Sequence, residues 1–316
     1  MKSGLTPRKI RALVNHIYDL PTLPTTVAKL LELIDNPRST AHQLGQMISE
    51  DQVLTVHVLK LANSAYYGFS RRIKTIPLAV VVLGYETLKN VLLTVSIIDR
   101  FSRQPNGLRF DFSLFWDHTL ATAVSSKILA RDAGYQITGE AFVAGLLHDL
   151  GKLILSQYLP EEFSKIYRLS FQNHEPMYNM EKRMFKGVTH AEVGAWLAER
   201  WHLPGTLVQA IRYHHEPTKT PADSSLASIV HVADYLARKQ QIGFSGDVSF
   251  PVLGKGVWKN LTSNSKTMSG LPDLTSYEKY FAQELENEWR FFETLRLGDQ
   301  NTYRRTDLHK MAVEMV

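Results

Sequence analysis

Apolar residues recur at helical spacing from early in the chain. Val27, Leu30, Leu31 and Ile34 follow the i, i+3, i+4, i+7 rule behind the turn-forming stretch Leu20-Pro21-Thr22-Leu23-Pro24, which predicts an amphipathic helix. Thr40 with Gln43 has the form of a capping box opening a helix through Ile48, and Leu54, Val58, Leu61 and Ala62 make the next apolar stripe. Residues 76–98 are dense in Val and Leu and read as two short buried helices broken at Gly84. After the loop Ser102-Arg103-Gln104-Pro105-Asn106-Gly107, helices are predicted over 113–132, 140–154, 189–201, 204–214 and 225–239. Thr189 with Glu192 is a second candidate capping box, and Pro204 suits the first turn of the helix that follows it. Residues 242–275, rich in Gly and Ser, read as an irregular connection that Phe250 and Trp258 hold against the core. A last helix over 276–295 carries Phe281, Leu285, Phe292 and Leu295 at near-helical spacing. Few alternating segments intervene, so the predicted class is all-α.

Composition narrows the chemistry. The 316 residues are 44% hydrophobic and 21% charged, inside the globular range, so disorder is excluded as the dominant state. Cysteine is absent, which removes disulfides, thiolate nucleophiles and Cys-ligated metals, and any metal must use His, Asp or Glu. The net charge of +5 is uneven: residues 1–110 hold 14 basic and 7 acidic residues, the remainder 22 and 24. Those basic residues are dispersed and no nucleic-acid reading motif is recognisable, so nucleic acid is not an expected partner. Neither a signal-peptide core nor a bilayer-spanning apolar run stands out, and the expected location is cytoplasmic, without a membrane.

Candidate chemistry lies among the twelve histidines. His118 continues the apolar face of Leu114, Ala121, Ser125 and Ile128, so its imidazole is expected to point inward. Asp234 stands beside Val230 and Ala237, which presses a carboxylate toward the core, where it needs a cation or strong donors. Between them come His148-Asp149 in Gly145-Leu146-Leu147-His148-Asp149-Leu150-Gly151-Lys152, then His190, then His214-His215. Imidazoles with hard carboxylates suit divalent first-row metals, iron or manganese ahead of zinc, nickel or magnesium. Each residue also has a plainer reading: His118 or His190 as a hydrogen-bonded core histidine, Asp234 as a cap or the partner of an Arg, Lys152 as a solvated helix residue. His231 and the remaining histidines read as structural or surface residues.

This ordered set resembles the HD phosphohydrolase superfamily, and most nearly its HD-GYP branch. The resemblance implies that His118, His148, Asp149 and Asp234 hold one metal and that Asp149, His190, His214 and His215 hold a second, with Asp149 bridging. It also implies that two ions activate water on a phosphoester, with Asp149 and Lys152 as the catalytic pair and Lys152 set against phosphate charge. It stops after His214-His215-Glu216, where Pro217-Thr218-Lys219-Thr220-Pro221 stands in place of a Gly-Tyr-Pro loop, and at Leu114, where some members carry Glu. The front half adds Leu20-Pro21-Thr22-Leu23-Pro24, Glu50-Asp51-Gln52-Val53-Leu54-Thr55, Leu59-Lys60-Leu61-Ala62-Asn63-Ser64-Ala65-Tyr66-Tyr67-Gly68 and Ile76-Pro77-Leu78-Ala79-Val80, which together resemble the HDOD family, the HD-related output domain of bacterial signalling proteins. The physical reading of the Asn63 segment is a helix terminus.

The HDOD resemblance implies a two-lobed helical fold, an N-terminal helical bundle (1–106) packed on an HD-like lobe with the metal site (107–240), followed by an irregular connection and C-terminal helix (241–316). It implies a regulatory output role with signalling proteins as partners and input through a partner, a ligand or the metal. A metal-dependent phosphohydrolase acting on a nucleotide or other phosphate-containing small molecule is the alternative, and a metal-free interaction module is the third reading.

Overall fold

Local signals start and stop most of the helices. In a computed structural model, which describes residues 7–16, 25–64, 72–101, 110–221, 223–262, 265, 268 and 274–292, every regular element among the described residues is helical. The first six helices are α1 (Pro7–His16), α2 (Thr25–Asp35), α3 (Ala41–Ser49), α4 (Gln52–Ala62), α5 (Ile76–Leu83) and α6 (Tyr85–Phe101). Then come α7 (Phe112–Ala133), α8 (Thr138–Leu147), α9 (Leu150–Tyr158), α10 (Pro160–Asn173) and α11 (Met177–Met184). The last five are α12 (His190–Arg200), α13 (Gly205–Tyr213), α14 (Ser225–Lys239), α15 (Lys255–Thr262) and α16 (Leu274–Phe292), with a 3-10 turn at Pro217–Lys219. The turn at 20–24, the Tyr66-Tyr67-Gly68 segment and the loop at 102–107 lie outside the described residues, as does Leu295.

The described residues fall into two compact units, one within 21–102 and 284–292, the other within 7–20 and 103–283. In the first, Thr40 makes the predicted capping box with Gln43, and the Asp51 carboxylate accepts from Val53 N and Leu54 N to start α4. Each such cap contributes about 1 kcal/mol. Leu54, Val58, Leu61 and Ala62 are all buried. Asn63 does more than end α4: its side chain donates to Leu59 O and exchanges two hydrogen bonds with the Ile73 backbone, clasping the chain ten residues on. The break at Gly84 is present, but α6 runs for 17 residues rather than being short. Together α5 and α6 are apolar, yet they are bent by 111°, and no single helix among the described residues is long and apolar enough to cross a membrane.

The second unit is built around α7, which is buried on nearly every face and is therefore a core helix rather than an amphipathic one. Asp111 caps its start and Gly134, at φ 78°, its end. Helix α8 lies against it so closely that a Cβ on Gly145 would stand 2.6 Å from Ser126 Oγ and 2.8 Å from Ala123 Cα. The predicted helix over 140–154 is two helices, because the chain turns at His148-Asp149, where Asp149 takes φ −99°, ψ 5°. Pro204 precedes α13 as its extended N-cap instead of entering the first turn. Thr189 Oγ1 accepts from Glu192 N at 3.4 Å, but the Glu192 carboxylate pairs with Arg212. The region read as irregular contains α15, and there Trp258 packs on Tyr277 while Phe250 is half exposed.

Candidate metal centre

Four elements of the second unit carry the clustered side chains. α7 supplies His118; the α8–α9 turn supplies His148 and Asp149; α12 begins at His190; the end of α13 supplies His214 and His215. Glycines bring these elements together: a Cβ on Gly151 of α9 would lie 1.9 Å from His190 O and 2.8 Å from Gly194 N of α12. Two sets of ligand atoms lie within 4.8 Å of one another, Asp149 with His190, His214 and His215, and Asp149 with His118 and His148. Asp149 is common to both. Asp234, on α14, stands outside these sets; its Oδ1 lies 3.2 Å from His118 Nε2 and accepts from Arg238 Nε at 2.7 Å. The Arg partner of the plainer reading is thus one of its two contacts, and His118, the neighbour expected in a shared ligand set, is the other.

The donor set fits a metal in its chemistry. His148 Nδ1 and His214 Nδ1 each donate at 2.7 Å to the backbone carbonyls of Gly145 and Ile211, and His190 Nδ1 donates at 2.7 Å to Glu181. Pinning Nδ1 on an acceptor turns Nε2 toward the cluster, the orientation of metal-ligating histidines. His148 Nε2 and His214 Nε2 are buried without a hydrogen-bond partner, as is Asp149 Oδ1. His190 Nε2 lies 2.9 Å from His215 Nε2 and 3.1 Å from Asp149 Oδ1. Buried polar atoms are rarely left unpaired, and these converge on one place.

Charges around the cluster are committed in pairs. Lys152 is fully buried, not solvated, and its Nζ donates to Asp149 Oδ2 at 2.8 Å, to Ser245 O at 3.0 Å and to Asp247 Oδ2 at 3.0 Å. All three ammonium protons therefore have acceptors within the protein. Asp247 also accepts from Met177 N, and Arg238 donates to Ser249 O. Gly243, at φ 66°, brings this segment onto α7, where a Cβ would meet His118 N at 2.1 Å. The stretch after α14 thus closes over this side of the cluster.

Burial governs the protonation states. It lowers His118, His214 and His215, and for the last two neighbouring imidazoles push the same way, so all three rings favour the neutral form. Burial opposes charge on His190 too, but Glu181 outweighs it and raises the ring to about 9. For Asp149 and Asp234 burial acts upward, yet Lys152 and Arg238 respectively hold both well below the ordinary carboxylate value. At the outer edge, Tyr178 stacks on His215 with ring centres 4.2 Å apart, and its hydroxyl donates to Glu216. Burial acts upward on Glu216, but hydrogen bonds from Lys182, Lys219 and Tyr178 lower it to about 2.

Sequence reasoning named His118, His148, Asp149, Lys152, His190, His214, His215 and Asp234, and all eight fall in this one network. It missed Glu181, Arg238, Asp247 and Tyr178. Arg238 follows Asp234 by four residues, a helical pairing visible in the sequence. The other three come from parts of the chain with no motif of their own. His231 is structural: its Nδ1 donates to the carbonyl of His214.

An all-helical protein with a buried histidine–aspartate cluster at a helix junction is the class these features define. The chain belongs to the HDOD domain family, whose pattern matches residues 20–217. A solved HDOD domain protein of unknown function from Geobacter sulfurreducens is similar at 27% identity, covering 91% of this chain and 98% of that one, with a TM-score of 0.75. A candidate phosphohydrolase from Shewanella amazonensis SB2B is similar at 27% identity over 90% of this chain and 98% of that one, with a TM-score of 0.67. An uncharacterized protein of Treponema pallidum is 29% identical over 235 residues, and the chain spans 45% of its length.

Proposed function

We propose that this HDOD protein is a regulatory protein of bacterial signalling whose buried centre binds divalent transition metal, iron or manganese, in the two ligand sets that share Asp149. One observation carries the metal reading: Nδ1 of His148, His190 and His214 is held by acceptors away from Asp149, and their Nε2 atoms face the Asp149 carboxylate as ligands would. Bound metal would supply charge neutralisation for the buried carboxylates and Lewis acidity for an oxygen ligand. Lys152 acts on this reading as a positioning residue that fixes Asp149, since its three protons are spent on Asp149, Ser245 and Asp247. That commitment favours regulation over turnover. Signalling proteins are the proposed partners.

Hydrolysis of a nucleotide or other phosphoester is the second reading, favoured by the resemblance to the Shewanella amazonensis protein named as a candidate phosphohydrolase. Metal analysis of untagged protein purified without chelator, followed by a phosphodiester assay on the metal-loaded form, separates the readings. Iron or manganese bound in the natural protein, lost in His148→Ala/Asp149→Ala, and no turnover is the expected result. Turnover that tracks added metal would carry the hydrolase instead. Protein that neither retains nor takes up metal would contradict both.

A further inference from the structure

Asp149 stands between two unequal halves of the cluster. Toward Asp149 Oδ1 lie His190 Nε2 at 3.1 Å and His214 Nε2 at 3.7 Å, with His215 Nε2 2.9 Å from His190 Nε2. Toward Oδ2 lie His148 Nε2 at 3.4 Å and His118 Nε2 at 4.0 Å, but Lys152 Nζ is nearer, at 2.8 Å. The remaining carboxylate of that half, Asp234, gives Oδ1 to Arg238 Nε at 2.7 Å. On this half the protein's own cations already hold Asp149 Oδ2 and Asp234 Oδ1.

The fixed charges point the same way. Lys152 and Arg238 already stand among Asp149, Asp234 and Asp247, so a divalent ion in the His118–His148 half would lie beside two cations that are themselves held there.

We infer that the two halves load unequally: one divalent ion is held tightly by His190, His214, His215 and Asp149, and Arg238 weakens the His118–His148 half by occupying Asp234. The inference rests on the metal reading above and concerns which half fills. Arg238 is then a residue that sets metal stoichiometry rather than a ligand.

Manganese(II) titration of chelator-stripped full chain, followed by equilibrium dialysis and electron paramagnetic resonance, tests it. The natural protein should bind one ion tightly, with the spectrum of an isolated centre, and a second ion about 10- to 100-fold more weakly, the range in which residues around a ligand act. Arg238→Gln should tighten the second ion and bring in the spectrum of an exchange-coupled pair. Because Arg238 also holds Ser249 O, a variant that fails to fold is replaced by a second comparison: His118→Ala should keep the tight ion and His190→Ala should lose it. Two ions of equal affinity in the natural protein, or a tight ion lost in His118→Ala and kept in His190→Ala, would overturn the inference. A natural protein that binds no manganese would refute the metal reading itself.

Discussion

Glu181 shows how a residue outside the ligand set can govern it. Its Oε2 accepts from both His190 N and His190 Nδ1, at 2.8 and 2.7 Å, so one buried oxygen starts α12 and orients the ring. Glu181→Gln keeps the shape but removes the charge behind the imidazole, and metal affinity should fall by about 10- to 100-fold with the fold intact. Competition with a fluorescent chelator measures the change; an unaltered affinity would make Glu181 a structural cap only. Asp247 belongs to stability. Burial would raise its carboxyl, but Lys152 and Arg238 outweigh that and hold it below the ordinary value. Its contribution is therefore present above the unfolded carboxyl value of about 3.9 and lost as pH falls through the lower folded value. Asp247→Asn leaves two buried cations short of an anion, and should cost about 3–5 kcal/mol at pH 7. In urea unfolding at successive pH values, that gap should narrow only at acid pH. A gap of constant size down to pH 3 would contradict the assignment.

At the scale of elements, the site depends on α9 crossing α12 at nearly backbone contact. Gly151→Ala would drive a Cβ into His190 O, so the helices must separate and the variant should lose about 1–3 kcal/mol or more, together with metal affinity. Gly194→Ala should cost less, since its nearest neighbour is Ile211 Cγ2 at 3.1 Å, and Gly205→Ala, with nothing within 4 Å, should be close to neutral. Thermal unfolding of the three variants checks the order. The crossing was not legible in the sequence, where Gly151 is one more small residue after His148-Asp149. What was legible came from strong local rules: the Thr40–Gln43 box, the stripe of α4 and the break at Gly84. What was not came from weak or competing signals. Helices α10 and α11 join no motif, although Pro160 with Glu161 and Glu162 is a usable start signal. Glycines and serines on either side of Lys255–Thr262 concealed α15. At 140–154 the apolar run continues through a turn that only the buried His148-Asp149 pair requires.

For the whole molecule, the ordering His, His-Asp, His, His-His, Asp already contained most of the candidate site through its resemblance to the HD superfamily, since each of these residues taken alone had a plainer reading. The counter-charges were hidden, since Glu181 and Asp247 meet their partners only through the tertiary fold. Metal bound to the folded chain alone should stabilise it by mass action, by about 2.7 kcal/mol at 100 times the dissociation constant. The corresponding rise in the melting temperature should disappear in His148→Ala/Asp149→Ala. An equal rise in that variant would place the metal elsewhere.

Anomalous X-ray diffraction at the iron and manganese edges, from crystals of protein purified without chelator, tests the central claim most directly. The account predicts a peak within bonding distance of His190 Nε2, His214 Nε2 and Asp149 Oδ1. Well-ordered crystals with no peak there, and with His190 and His215 joined by a hydrogen bond after manganese soaking, would contradict it.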